Sequence, residues 1–115
     1  MPWPWRMGLG IRNSARWPAS DVSFDVEFAD GTHVRESHEL LDTMNVHGDL
    51  YTVLRDVTST WPTTEWEPVT AVVRFSDQRG IARYELRGTT KVRDGQHANG
   101  APDIYAPTWT TRRLR

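Results

Sequence analysis

Apolar and polar positions alternate most cleanly at Val22, Phe24, Val26 and Phe28, which are separated by Ser23, Asp25 and Glu27. A period of two predicts a strand with one buried face. The strand runs through Ala29-Asp30-Gly31 into Thr32 to Glu36, and the loop length follows from which register keeps apolar residues together. A two-residue turn sets Val26 against Arg35. A three-residue turn with Gly31 left-handed sets Val26 against Val34, Asp25 against Arg35 and Glu27 against His33, and this is the register predicted.

Val69, Ala71, Val73 and Phe75 alternate in the same way before the turn Asp77-Gln78-Arg79-Gly80, and Ala82, Tyr84 and Leu86 share one face of the return strand. Pairing Ser76 with Ile81 sets Phe75 by Ala82, Val73 by Tyr84 and Ala71 by Leu86. That register places Arg74 opposite Arg83, with Glu85 and Arg87 nearby, a like-charge pair that destabilises a sheet unless compensated. The return strand is read as continuing past a bulge at Gly88 through Thr89 to Val92.

Between the hairpins, Asp49 is placed to cap a helix with Leu50, Val53, Leu54 and Val57 on one stripe and Thr52, Arg55, Asp56 and Ser59 on the other. Pro62 ends it near Trp61. Residues 37–44 are read as a further short helix, interrupted at His47-Gly48. The fold class expected is α+β: an antiparallel sheet of two β-hairpins, one main helix packed on one face, and long loop-rich termini. Residues 21–93 form the compact domain. Residues 1–20 are a Trp/Pro/Arg-rich N-terminal segment, and residues 94–115 are a loop-rich C-terminal segment with a short edge strand near Ile104-Tyr105 and a basic, frayed tail.

A chain of 115 residues, 37% apolar and 25% charged with mean hydropathy -0.63, suits one domain with generous loops. Cysteine is absent, which excludes disulfides, a thiolate nucleophile and thiolate-bound zinc. No apolar run approaches the roughly twenty residues of a membrane span, and the start of the chain lacks the apolar core of a secretory signal. A cytoplasmic protein without membrane contact is expected.

The net charge of -1 conceals segregation. Residues 1–20 carry Arg6, Arg12 and Arg16 and no acid, residues 21–60 hold nine acids against Arg35 and Arg55, and residues 61–115 hold nine bases against six acids. The segments either neutralise one another within one fold or across a homodimer, or form separate acidic and basic surfaces that steer charged partners. Thirteen of the fourteen bases are arginine, which suits bidentate pairing and ring stacking, and also a GC-rich coding sequence such as an actinobacterial or phage one.

No motif carries catalysis. His38-Glu39-Leu40-Leu41-Asp42 resembles the two-histidine zinc helix, with His33, His47 or His97 as further ligands, but its fifth position is Asp and exposed polar residues explain it. Glu65 and Glu67 flank Trp66 without the facing cleft that a glycosidic carboxylate pair needs. Gly8-Leu9-Gly10 follows no predicted strand and lacks the rest of a dinucleotide fingerprint. No serine sits in a nucleophile elbow. No cofactor, no metal site and no catalytic residue is assigned.

Six tryptophans lie near prolines or the chain ends. Trp61 and Trp66 are core candidates, while Trp3, Trp5 and Trp109 are interface candidates, since tryptophan and arginine dominate binding hot spots. The function expected is a small non-catalytic protein-interaction module of inhibitor, adaptor or host-modulating type. It binds a protein partner through Trp3, Trp5, Arg74, Arg83, Arg87 and Trp109. The alternative is a nucleic-acid-binding protein using Arg74, Arg79, Arg83, Arg87, Lys91 and Arg93, and a third reading is a small enzyme or ligand carrier with a pocket between helix and sheet.

Overall fold

The computed structural model describes residues 5–13, 17–41, 49–57, 60–77 and 80–114. Among the described residues there are eight strands and no helix: β1 (Trp5–Arg12), β2 (Ala19–Phe28), β3 (His33–Leu41), β4 (Asp49–Val57), β5 (Glu67–Ser76), β6 (Arg83–Asp94), β7 (Pro102–Ile104) and β8 (Thr108–Arg113). The expected α+β class is therefore corrected to all-β. Six strands form one antiparallel sheet in the order β3-β2-β5-β6-β7, with β8 beside β7 on the same side of β6, and β1 pairs with β4 as a separate ribbon.

The ribbon covers the sheet's inner face. Val22, Phe24, Val26 and Phe28 of β2, Val69, Ala71 and Val73 of β5, Val92 of β6, Leu41 and Trp61 are buried there. Met7, Leu9 and Ile11 of β1 and Leu54 of β4 pack against them, so both layers use the two-residue period. Thr52 donates to Glu36 Oε2 at 2.7 Å and joins ribbon to sheet, while Arg55 stacks on Phe28 at 3.9 Å and pairs with Asp30 at 3.2 Å.

The segment expected as the main helix is β4. A helical stripe needs Val53 inside and Thr52 outside, yet Val53 is 41% exposed and Thr52 is half-buried. Tyr51, Thr52 and Val53 are aromatic or β-branched, and β1 supplies a partner strand. Met7 pairs with Arg55 and Gly8 with Val53, leaving Leu54 as the extra residue of a bulge. The expected helix at 37–44 is also overturned: residues 37–41 continue β3, and residues 42–44 lie outside the described residues.

The first hairpin has the expected register, with Val26 opposite Val34 and Gly31 at φ 85°. In the second, the facing sides are as expected but the register is two residues longer: Ser76 pairs with Arg83, Arg74 with Glu85 and Val73 with Leu86. The pairing extends unbroken through Gly88, without a bulge. The chain ends contribute β1, β7 and β8 rather than loops alone.

Candidate binding face

The sheet's outer face is built from the side chains that alternate with the core. Because the strands pair in register, these residues line up in rows. Ser37, Ser23, Arg74, Glu85 and Arg112 form one row, and Arg35, Asp25, Val72, Arg87 and Thr110 the next. His33, Glu27, Thr70, Thr89 and Thr108 form a third. Apolar content on these rows is confined to Val72.

Glu85 anchors the β5-β6-β8 half. Its side chain is 5% exposed and lies 3.0 Å from Arg74, 3.1 Å from Arg112 and 4.0 Å from Arg87. A buried carboxylate needs partners, and here three guanidinium groups, each about half exposed or more, share one negative charge. The cluster keeps an excess of positive charge facing water. Arg83 lies one row further and donates from Nη1 to Ser76 Oγ at 2.9 Å.

At the other end of β6, Trp66 and Tyr105 pack with ring centroids 4.6 Å apart. Lys91 stands 4.4 Å from the Tyr105 ring and Arg93 stands 4.2 Å from the Trp66 ring. Asp103 accepts from Arg93 at 3.3 Å and pairs with His97 at 2.8 Å. Hydrogen bonding from His97 is the main cause that holds the Asp103 carboxyl below its usual range, with Arg93 adding to it.

The β2-β3 half is acidic. Burial pushes the Asp25 carboxyl up, but hydrogen bonds from His33 at 2.8 Å and Arg35 at 3.1 Å outweigh it and leave the group below its ordinary value. Glu27 and Glu39 are exposed. Asp21, with φ 49°, sits at a register shift between β2 and β5, where Arg83, Asp21 and Glu39 border one shallow depression.

Five of the six residues considered for nucleic acid, Arg74, Arg83, Arg87, Lys91 and Arg93, share this outer face, and Arg79 lies outside the described residues. Of the residues considered for a protein partner, Arg74, Arg83 and Arg87 are here. Trp109 is not: it lies on the opposite side of the sheet, over Gly88. Trp3 and the Trp5 side chain lie outside the described residues. Arg74 and Arg83 are not opposite one another, so the like-charge conflict is removed by the register. Arg112, Glu85 and the Trp66–Tyr105 pair were missed; the conflict itself was the signal for Glu85, since a two-residue shift resolves it.

The remaining candidates disperse. His38 and Glu39 are neighbours on a strand and point to opposite faces, with His38 bound to Glu36 at 2.8 Å. Among the described residues no group of three or more His, Cys, Asp or Glu side chains is arranged to hold a metal. Glu67 accepts from the Trp61 indole at 2.9 Å and is not paired with Glu65. The expected helix-sheet pocket has no helix. An apolar cavity of about 90 Å³ between ribbon and sheet, bordered by Ile11, Leu41, Phe75 and Leu86, is well below the roughly 300 Å³ of small-molecule sites. Among the described residues no helix is long and apolar enough to cross a membrane. No known protein family, curated protein or solved structure matches the chain.

Proposed function

We propose that the protein is a non-catalytic interaction module, acting in the cytoplasm, which docks an acidic protein surface onto the outer face of β5, β6 and β8. The observation that carries this is the Glu85 cluster. One buried carboxylate holds Arg74 and Arg112 and approaches Arg87, so the guanidinium groups are ordered in advance while most of their N–H donors still face solvent. Pre-ordering lowers the entropy lost on docking, and the excess charge steers an acidic partner. Trp109, on the other side of the sheet, is not part of this surface.

A labelled ten-residue polyglutamate peptide is the probe. It binds the full chain with an affinity that falls as salt rises. The variant Arg83→Ser/Arg87→Ser/Lys91→Ser, which spares the two arginines bonded to Glu85, loses about tenfold or more of that affinity. Equal binding by the variant and the parent overturns the reading.

The Trp66–Tyr105 pair with Lys91 and Arg93 supports a second reading, since bases stack on such rings while cations hold the backbone. A single-stranded oligothymidylate that outcompetes the peptide, with a steep salt dependence, moves the face to nucleic acid.

A further inference from the structure

We infer that the acidic surface docked by the arginine half is the β2-β3 half of a second copy of this chain, the two outer faces packing about a two-fold axis parallel to the strands. The inference rests on the reading that the arginine half is an interface, and names its partner.

The outer face is divided between two signs of charge. Its β2-β3 half carries Asp21, Asp25, Glu27 and Glu39 against Arg35 and His33. Its β5-β6-β8 half carries Arg74, Arg83, Arg87, Lys91 and Arg112 against Glu85. A surface split in this way complements itself, which is the requirement for an isologous two-fold contact.

Charge also selects the axis. Two sheets meeting face to face are related by a two-fold lying either across or along the strands. An axis across the strands sets β3 over β3 and places acid on acid. An axis along the strands exchanges the two halves and preserves height, so each acidic half covers a basic half, and this happens twice per dimer. The heights correspond: Asp25 and Arg87 occupy one row, and Asp21 and Glu39 lie beside the level of Arg83. Glu27 lies one row from Lys91. Val72 of β5, the apolar residue of these rows, falls near the axis.

A local conflict points the same way. β2 and β3 pair Ser20 with Leu40 and Val22 with His38, and Asp21 and Glu39, which lie between these pairs, border one depression. Like charges facing across a strand pair destabilise the sheet. Arg83 of the same copy borders that depression and offsets part of the repulsion, and the basic half of a second copy adds to it. With so little apolar area the contact is wet and salt-sensitive, and the sheets lie with strands within about 30° of alignment.

Sedimentation equilibrium on the full chain tests this with two charge-reversed variants, Arg87→Glu/Lys91→Glu and Glu27→Arg/Glu39→Arg, both of which keep Arg74 and Arg112, the two arginines hydrogen-bonded to Glu85. The parent shows about twice the 13.2 kDa chain mass at low salt and falls toward the single mass near 0.5 M, where the Debye length is only about 4 Å. Arg87→Glu/Lys91→Glu cancels the net charge of the basic half and Glu27→Arg/Glu39→Arg turns the acidic half positive, so each variant alone is monomeric, and an equimolar mixture, in which the acidic half of one covers the basic half of the other, regains the doubled mass. If either double variant loses its strand circular dichroism, the single exchanges Arg87→Glu and Glu39→Arg, which lower the charge of one half without reversing it, are each expected to shift the parent's dimer toward the single mass. A monomeric parent at about 100 μM in low salt, a concentration that half-fills a contact of about 5 kcal/mol, overturns self-pairing. So does a mixture that stays monomeric. If the parent is monomeric yet binds the polyglutamate peptide, self-pairing falls and the arginine-face reading stands; if it does neither, both fall. A monomer that binds oligothymidylate overturns both in favour of nucleic acid.

Discussion

The Trp109 ring of β8 lies across Gly88, its paired residue in the middle of β6, so closely that a β-carbon at position 88 would stand 2.6 Å from the indole. Glycine weakens a strand interior, and a cross-strand aromatic ring compensates by covering the bare backbone. Gly88→Ala is expected to displace the ring and lower stability by about 1–2 kcal/mol, as overpacking does. In a Trp109→Ala background the same change should instead gain about 0.5 kcal/mol or more, because alanine is the better strand residue once the ring is gone. A double-mutant cycle by urea denaturation measures the coupling. Additive effects would show that the ring does not dictate the glycine.

Glu85 organises the arginine half, and Glu85→Gln keeps its shape while removing the shared charge. Arg74, Arg87 and Arg112 are 48%, 51% and 70% exposed, so water screens much of the loss. Denaturant unfolding should show a cost of about 1–2 kcal/mol, below the 3–5 kcal/mol of a pair buried on both sides. Arg112→Ala alone should cost less than 1 kcal/mol, since Arg74 still pairs with the carboxylate. A Glu85→Gln variant as stable as the parent would mean that the guanidinium groups owe their positions to solvent and not to Glu85.

The parts of this fold that were legible in the sequence are those where local pattern and pairing agree. Val22 to Phe28 alternates without exception, and the Asp30-Gly31 turn leaves one register that matches its partner strand. In the second hairpin the period fixed the faces but not the offset, because slipping by two residues returns every side chain to the same face. The predicted Arg74–Arg83 clash was the sign of that slip, and Glu85 is the residue that removes it. β1 was hidden by composition: Met7, Leu9 and Ile11 alternate, but Gly8 and Gly10 between them depress strand propensity and resemble an incomplete dinucleotide fingerprint. β4 was misread because its Leu54 bulge interrupts the period of two and makes Leu50, Val53, Leu54 and Val57 resemble a helical stripe. The binding face needed the long-range pairing of β8 with β6, which no local window contains.

Acid should weaken the fold through three aspartates. Asp25 is held low by His33 and Arg35 despite its burial, Asp30 chiefly by hydrogen bonds from Thr32, and Asp103 chiefly by His97. Each folded value lies below the ordinary 3.8, so the unfolded chain takes up protons first. The stability they contribute is fully present above that value and is lost as the pH falls through the lower folded values. Urea midpoints measured from pH 6 to pH 2 should be flat and then fall below about pH 4. In Asp25→Asn the midpoint should start lower and fall less steeply. An identical slope in the variant would show that Asp25 takes no part in the acid response.

The assignment of the ribbon rests on β4, where strand and helix make opposite demands on adjacent residues. Val53 is 41% exposed, whereas Thr52 is half-buried with its hydroxyl donated to Glu36. Val53→Thr should therefore change stability by no more than about 0.5 kcal/mol, and Thr52→Val should cost about 1 kcal/mol or more by leaving the Glu36 carboxylate short of a donor. Leu54→Ala, at the half-buried bulge, should cost about 1–2 kcal/mol, against about 3–5 kcal/mol for Phe24→Ala, whose ring is 3% exposed in the sheet core. The order of the four values carries the test. A large cost at Val53 with none at Thr52 is what a helix packed through Leu50, Val53, Leu54 and Val57 requires, and it would overturn the pairing of β4 with β1.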